Sequence, residues 1–215
     1  MKIIHDKYDK RLISTLPRVL FEGRIFVIFS EREADKAVDY LLQQKILGFD
    51  TETRPSFKKG QMHQVALLQV STHDTCFLFR LNRIGITPSI QRLLEDQRII
   101  KVGLSLKDDL RMLHHRNDFI PGTFIELQKE VKDIGIQDMS LQKLYANLFG
   151  EKIAKGQQLS NWEADTLSEA QQHYAATDAW ACIRIYEEVK RMKQEHNYHL
   201  VITETTDEHG PIITN

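Results

Sequence analysis

The stretch Ile46-Leu47-Gly48-Phe49-Asp50-Thr51-Glu52 decides how the chain is read. Its apolar opening fits a buried strand, and its end carries two acids at i and i+2. Successive strand residues alternate faces, so Asp50 and Glu52 project from the same side. Two like charges side by side call for a cation. Taken alone, the pair also fits a strand running out into a solvated loop.

Working outward, the flanking segments alternate between strand and helix character. Arg24-Ile25-Phe26-Val27-Ile28-Phe29 is β-branched and aromatic, and Ser30 with Glu33 forms a capping-box pattern that opens a helix to about Gln44. Val65 to Ser71 and Thr75 to Leu81 read as strands with a short polar connection, as antiparallel neighbours require. Further on, a helix is expected at Ser89 to Leu94, a strand at Arg98 to Val102, a helix at Leu106 to His115 and a short strand at Phe124 to Leu127. Helices are predicted at Met139 to Phe149, ended by Gly150, and from Ser168 to about Lys193. The expected class is α/β, with a mixed central β-sheet flanked by α-helices. Residues 1–23 read as an arm or a partial helix packed on the domain, 24–195 as the functional domain, and 196–215 as a polar, mobile tail.

The 215 residues, 41% hydrophobic and 27% charged, suit one large soluble domain. No apolar run is long enough to span a membrane, and Met1-Lys2-Ile3-Ile4-His5-Asp6-Lys7 is no secretory signal, so a cytoplasmic protein with no membrane partner is expected. Cys76 and Cys182 sit among apolar residues and read as reduced core thiols. The 29 basic and 30 acidic residues give a net charge of -1, which is not the footprint of a bulk electrostatic grip on nucleic acid.

Two further acids stand out by helical geometry. At about 100° per residue, Leu106, Leu110 and Leu113 form one stripe; Asp109 lies roughly 65° from its centre and Asp108 nearly opposite. Asp109 is therefore the acid at the border of the core. In the last helix Cys182, Ile185 and Val189 form a core-facing stripe that extends back through Asp178 to Tyr174. An ionised Asp in such a stripe must be paired with a cationic side chain or bind a metal. Acids from separate elements, without a His/Cys cluster or a Ser/His/Asp arrangement, suit hard oxygen-ligated cations. The paired His114-His115 lack the spacing of a zinc site.

Gly48-Phe49-Asp50-Thr51-Glu52-Thr53, the segment from Val102-Gly103 to Asp109-Leu110, and Tyr174-Ala175-Ala176-Thr177-Asp178-Ala179 together resemble the DEDD 3′-5′ exonucleases. The closest likeness is to the branch containing RNase D and the Werner helicase exonuclease domain, with Leu159-Ser160-Asn161-Trp162-Glu163 adding to it. The resemblance covers about residues 24–193. It implies a ribonuclease H-like fold and hydrolysis at the 3′ end of DNA or RNA, releasing nucleoside 5′-monophosphates with two divalent ions, Mg²⁺ or Mn²⁺. By the same resemblance Asp50, Glu52, Asp109 and Asp178 would be the metal ligands, with Asp109 acting through water, and Tyr174 would orient the attacking water. His173 satisfies the spacing of the sister branch, but a helical step of five turns it about 140° from Asp178, against about 40° for Tyr174. Candidate nucleic-acid contacts are Arg54, Lys58, Lys59, Lys107 and Arg111, with Lys152 and Lys155 beyond them. Trp162, Phe57 and Met62 are candidates for stacking on terminal bases. The alternative is a catalytically inactive nucleic-acid-binding module on the same fold.

Overall fold

The structure is a computed structural model that describes residues 1–203 except Lys59 and Gln61. Near the N-terminus lie β1 (Lys2–His5), α1 (Lys10–Ile13), β2 (Arg24–Ile28) and α2 (Glu31–Leu41). The central hairpins are β3 (Ile46–Thr53), β4 (Val65–Ser71) and β5 (Thr75–Phe79). Then come α3 (Leu81–Ile84), α4 (Pro88–Glu95), β6 (Ile100–Gly103), α5 (Leu106–His114), β7 (Phe124–Glu126) and α6 (Leu127–Lys132). The chain continues through α7 (Leu141–Phe149), the long α8 (Glu169–Glu195) and β8 (Tyr198–Val201).

Six strands form one mixed sheet in the order β2-β5-β4-β3-β6-β7. The β3-β4 and β4-β5 pairs are antiparallel and the remaining pairs parallel, as the short hairpin connections and the later crossovers require. One face, bearing Phe49, Leu68, Val70 and Phe79, is covered by Ala34, Val38 and Leu41 of α2, Ile90 and Leu94 of α4, and Leu106 and Leu113 of α5. The other face carries α8. The helix can lie close because its crossing points are small: Ala175, Ala176 and Ala179 are fully buried. At Gly48 the approach is tightest, since a Cβ there would overlap the Ala179 carbonyl oxygen. That contact sets Asp178 beside the end of β3.

The chain ends hold more strand than expected, and the start of the expected tail is ordered. Lys2–His5 pairs in parallel with Tyr198–Val201, so the first residues and the start of the supposed tail form a two-stranded sheet. Ile4 is fully buried against the α6, α7 and α8 cluster, which Tyr198 and Leu200 also join. Asn147 of α7 closes the attachment, accepting from the His5 amide and donating to its carbonyl. Residues 204–215, the rest of the expected tail, lie outside the described residues. Elsewhere the differences are local. Helix α2 stops at Leu41, three residues earlier than expected, and Arg80 leads directly into the short α3, so β5 ends at Phe79.

Candidate active site

Asp50 and Glu52 leave β3 on the face covered by α8, and Asp178 meets them from that helix. Oxygen atoms of the three carboxylates all lie within 4.8 Å of one another. Asp178 is buried in line with Cys182, Ile185 and Val189, all buried themselves. Asp109 comes from the opposite face of the sheet. There Thr51, alternating away from Asp50 and Glu52, donates its hydroxyl to the Asp109 carboxylate at 2.6 Å. The helix bearing Asp109 is fixed at its start: Ser105 adopts a left-handed φ of 63°, and Glu126 at the end of β7 accepts the amides of Ser105 and Leu106. Asp109 is thus adjacent to the three-carboxylate group and outside it, while Asp108 is solvated and paired with Arg111 at 2.9 Å.

Asp50, Glu52 and Asp178 sit in a cleft of about 320 Å³ whose walls include Leu104, Ser140, Leu141, Gln142, Lys155, Gln158 and Tyr174. Burial pushes the Asp50 carboxyl well above its ordinary range, and the charges of Asp109, Asp178 and Glu52 push it further. Glu52 is raised by burial and then by Asp178 and Asp109. Burial also raises Asp109 and Asp178, opposed by the hydroxyls of Thr51 and Tyr174 respectively. All four shifts express a single fact: negative charge is concentrated where water is scarce. Burial and the neighbouring carboxylates raise the Tyr174 phenol as well, so it stays protonated.

A model of the 3′-5′ exonuclease family matches residues 25–194. The chain belongs to that family. It is 31% identical over 194 residues to a 3′-5′ exonuclease of Arabidopsis thaliana, covering 81% of this chain and 66% of that one. It is also 31% identical over 150 residues to the bifunctional 3′-5′ exonuclease/ATP-dependent helicase WRN of Mus musculus, covering 67% of this chain and 11% of that protein. Against exonuclease 3′-5′ domain-containing protein 2 of Drosophila melanogaster it is 35% identical over 210 residues, covering 89% of this chain and 35% of the relative. The chain therefore spans less than two thirds of the length of each of these relatives. Among solved structures, the Aedes aegypti Nibbler EXO domain superposes with a TM-score of 0.74 at 19% identity, covering 82% of this chain and 92% of that one. Escherichia coli RNase D superposes with a TM-score of 0.72 at 18% identity, covering 80% and 46%. Both bear out the ribonuclease H-like fold. No helix among the described residues is long and apolar enough to cross a membrane.

Within this exonuclease domain the other expected site residues separate clearly. Tyr174 lines the cleft, whereas His173 is not part of its lining and is half-buried, with its Nε2 at 3.7 Å from Glu169. Trp162 is corrected: it is fully buried and packs against Tyr174 with ring centroids 6.0 Å apart, so it supports the tyrosine and offers no face to a base. Its loop is pinned from beneath by the fully buried Arg80, whose guanidinium donates to the carbonyls of Ala164 and Asp165. The following residue, Glu163, holds Arg54 at 3.2 Å and His63 at 3.0 Å. Lys58, Lys107 and Arg111 are exposed and lie outside the cleft lining, and Lys59 lies outside the described residues. Lys155 does reach the cleft, together with Gln142 and Gln158, which the sequence did not single out. Ser140 also lines the cleft and caps α7, where its hydroxyl accepts the Lys143 amide.

Proposed function

We propose that the chain is a metal-dependent exonuclease that hydrolyses the terminal phosphodiester bond at the 3′ end of DNA or RNA and releases nucleoside 5′-monophosphates. The observation that carries this reading is the convergence of Asp50, Glu52 and Asp178 within 4.8 Å, all with carboxyl groups raised by burial. Such a cluster is costly as it stands and becomes favourable around divalent cations, and its all-oxygen donors suit Mg²⁺ or Mn²⁺. Asp50, Glu52 and Asp178 would hold the ions, with Asp109 supporting the site from the other face of β3. Bound there, a pair of such ions supplies an activated water and charge stabilisation for the leaving oxygen of an in-line displacement.

The chain's own residues do the rest. Tyr174, protonated and backed by Trp162, presents a fixed hydroxyl that orients the attacking water. Thr51 keeps the Asp109 carboxylate aimed by its 2.6 Å hydrogen bond. Lys155, Gln142 and Gln158 contact the strand's sugar-phosphate backbone along the cleft wall, contacts that position without reading sequence. Arg54, Lys58, Lys59, Lys107 and Arg111 serve upstream nucleotides, and residues 24–195, with β1 and β8 attached, form the catalytic unit. The test is product identity on matched single-stranded, recessed and blunt DNA and RNA ends with each metal. Release of 5′-mononucleotides from the 3′ terminus supports the reading, and cleavage of a circular single strand overturns it.

A further inference from the structure

We propose that Asp138 is a positioning residue for substrate binding, and that through it the amino-terminal segment holds the walls of the cleft in place. The inference rests on the reading of the cleft as the path of a nucleic-acid strand. Asp138 is buried and lies two residues before Ser140, which with Leu141 and Gln142 lines the cleft at the start of α7. Its carboxylate joins two elements. One oxygen accepts the Tyr8 amide at 2.6 Å, and the other accepts the ammonium of Lys143, in the first turn of α7, at 2.7 Å. The neighbouring Gln137 amide donates to the Asp6 carbonyl at 2.8 Å, and the buried Asp6 carboxylate accepts the amide and hydroxyl of Thr203. The start of α7 is therefore tethered to the amino-terminal segment at two consecutive residues.

The second wall hangs on the same segment. Gln142 donates its Nε2 to the Ile153 carbonyl at 2.9 Å, tying α7 to the stretch that brings Lys155 and Gln158 to the cleft. One residue before Ile153, Lys152 donates its amide to the Pro17 carbonyl and accepts the Val19 amide, while its ammonium reaches the Ser14 carbonyl. Residues 6–19 thus connect the two walls, and all of them lie before residue 25, where the exonuclease match begins. A partly buried carboxylate–ammonium pair adds little to a fold beyond what apolar side chains of similar size supply. What Asp138 supplies and a packed leucine does not is a directed acceptor for the Tyr8 amide. The walls it holds are assigned to the strand's backbone and not to the reacting bond. Loosening them weakens substrate and transition state alike, which raises KM and leaves kcat in place.

The experiment measures kcat and KM on a single-stranded oligonucleotide with Mn²⁺, and Tm in EDTA. It compares the wild-type chain with Tyr8→Pro, Asp138→Asn and the double variant Asp138→Leu/Lys143→Met. Tyr8→Pro removes the donor and keeps the ion pair; the double variant replaces the pair with apolar side chains and leaves the Tyr8 amide without its acceptor. The proposal expects KM to rise on the order of tenfold in both, the weight of about one charge-assisted hydrogen bond, with kcat within about twofold of wild type. Asp138→Asn, whose side-chain oxygen still accepts the Tyr8 amide, is expected to keep KM within about threefold of wild type. An unchanged KM in Tyr8→Pro and in the double variant overturns the proposal even where Tm falls, because the tether would then serve the fold alone. A KM as high in Asp138→Asn as in the double variant overturns it too, since charge and not the tether would then be at work. Absence of strand cleavage by the wild-type chain overturns the functional reading beneath it instead.

Discussion

Replacing a central acid of the candidate site should make the metal-free protein more stable. In Asp50→Asn the shape is kept and one charge is removed from a group whose oxygens lie within 4.8 Å of one another. Two unit charges at that separation repel by about 3–4 kcal/mol at an effective dielectric constant near 20. Proton uptake limits how much of this the wild type suffers, leaving about 1–3 kcal/mol to be recovered at alkaline pH. For a chain of this size that corresponds to a Tm rise of about 3–10 °C. The sign with pH follows from the direction of the shifts. Asp50, Glu52 and Asp178 are all raised in the folded state, so the folded protein holds protons that the unfolded chain gives up. The stability they contribute is present at low pH and is lost as pH rises through the folded values. Thermal melting in EDTA should therefore show a larger gap between Asp50→Asn and wild type at about pH 8.5 than at about pH 5.5. Saturating Mn²⁺ should reverse the order by stabilising the wild type alone. An Asp50→Asn protein with an equal or lower Tm in EDTA at the higher pH would mean that the clustered carboxylates do not destabilise the metal-free fold.

Other outcomes follow from the same geometry. Tyr174→Phe should lower kcat by about a hundredfold or more with little change in KM, whereas His173→Ala should leave both near wild type. Full activity in the first and loss in the second reverses the assignment. Trp162→Ala should cost about 3–5 kcal/mol in urea unfolding, because a large buried ring is removed; an unchanged midpoint with a raised KM would restore Trp162 as a base-stacking residue. Lys155→Ala should raise KM and lower the salt dependence of strand binding by about one phosphate contact. A salt slope identical to wild type removes Lys155 from the strand path.

The residues that could be placed from sequence were those whose position is set by a local period. Asp50 and Glu52 share a face because strands alternate, and the structure puts both at the cleft. The helical wheel separated Asp109 from Asp108, and the structure hydrogen-bonds the first to Thr51 and leaves the second in solvent. The stripe through Cys182, Ile185 and Val189 led back to Asp178, which is buried as that stripe required. What could not be read depended on contacts between segments far apart in sequence. Trp162 lies in a loop with no period, and its burial follows from Arg80 gripping the carbonyls two and three residues beyond it. The pairing of Lys2–His5 with Tyr198–Val201 joins opposite ends of the chain, and four residues per strand leave too short an alternation to signal it. Gln142 and Gln158 are ordinary polar residues until α7 and the loop before α8 bring them to the same cleft as Asp50 and Glu52.

If these carboxylates hold divalent metal for cleavage from the 3′ end, a 5′-labelled single-stranded oligonucleotide will report it. With Mn²⁺ or Mg²⁺ the expected result is a ladder that shortens one nucleotide at a time from the 3′ end, abolished by EDTA and by Asp50→Ala. A ladder that persists through both treatments, or label released first from the 5′ end, contradicts it.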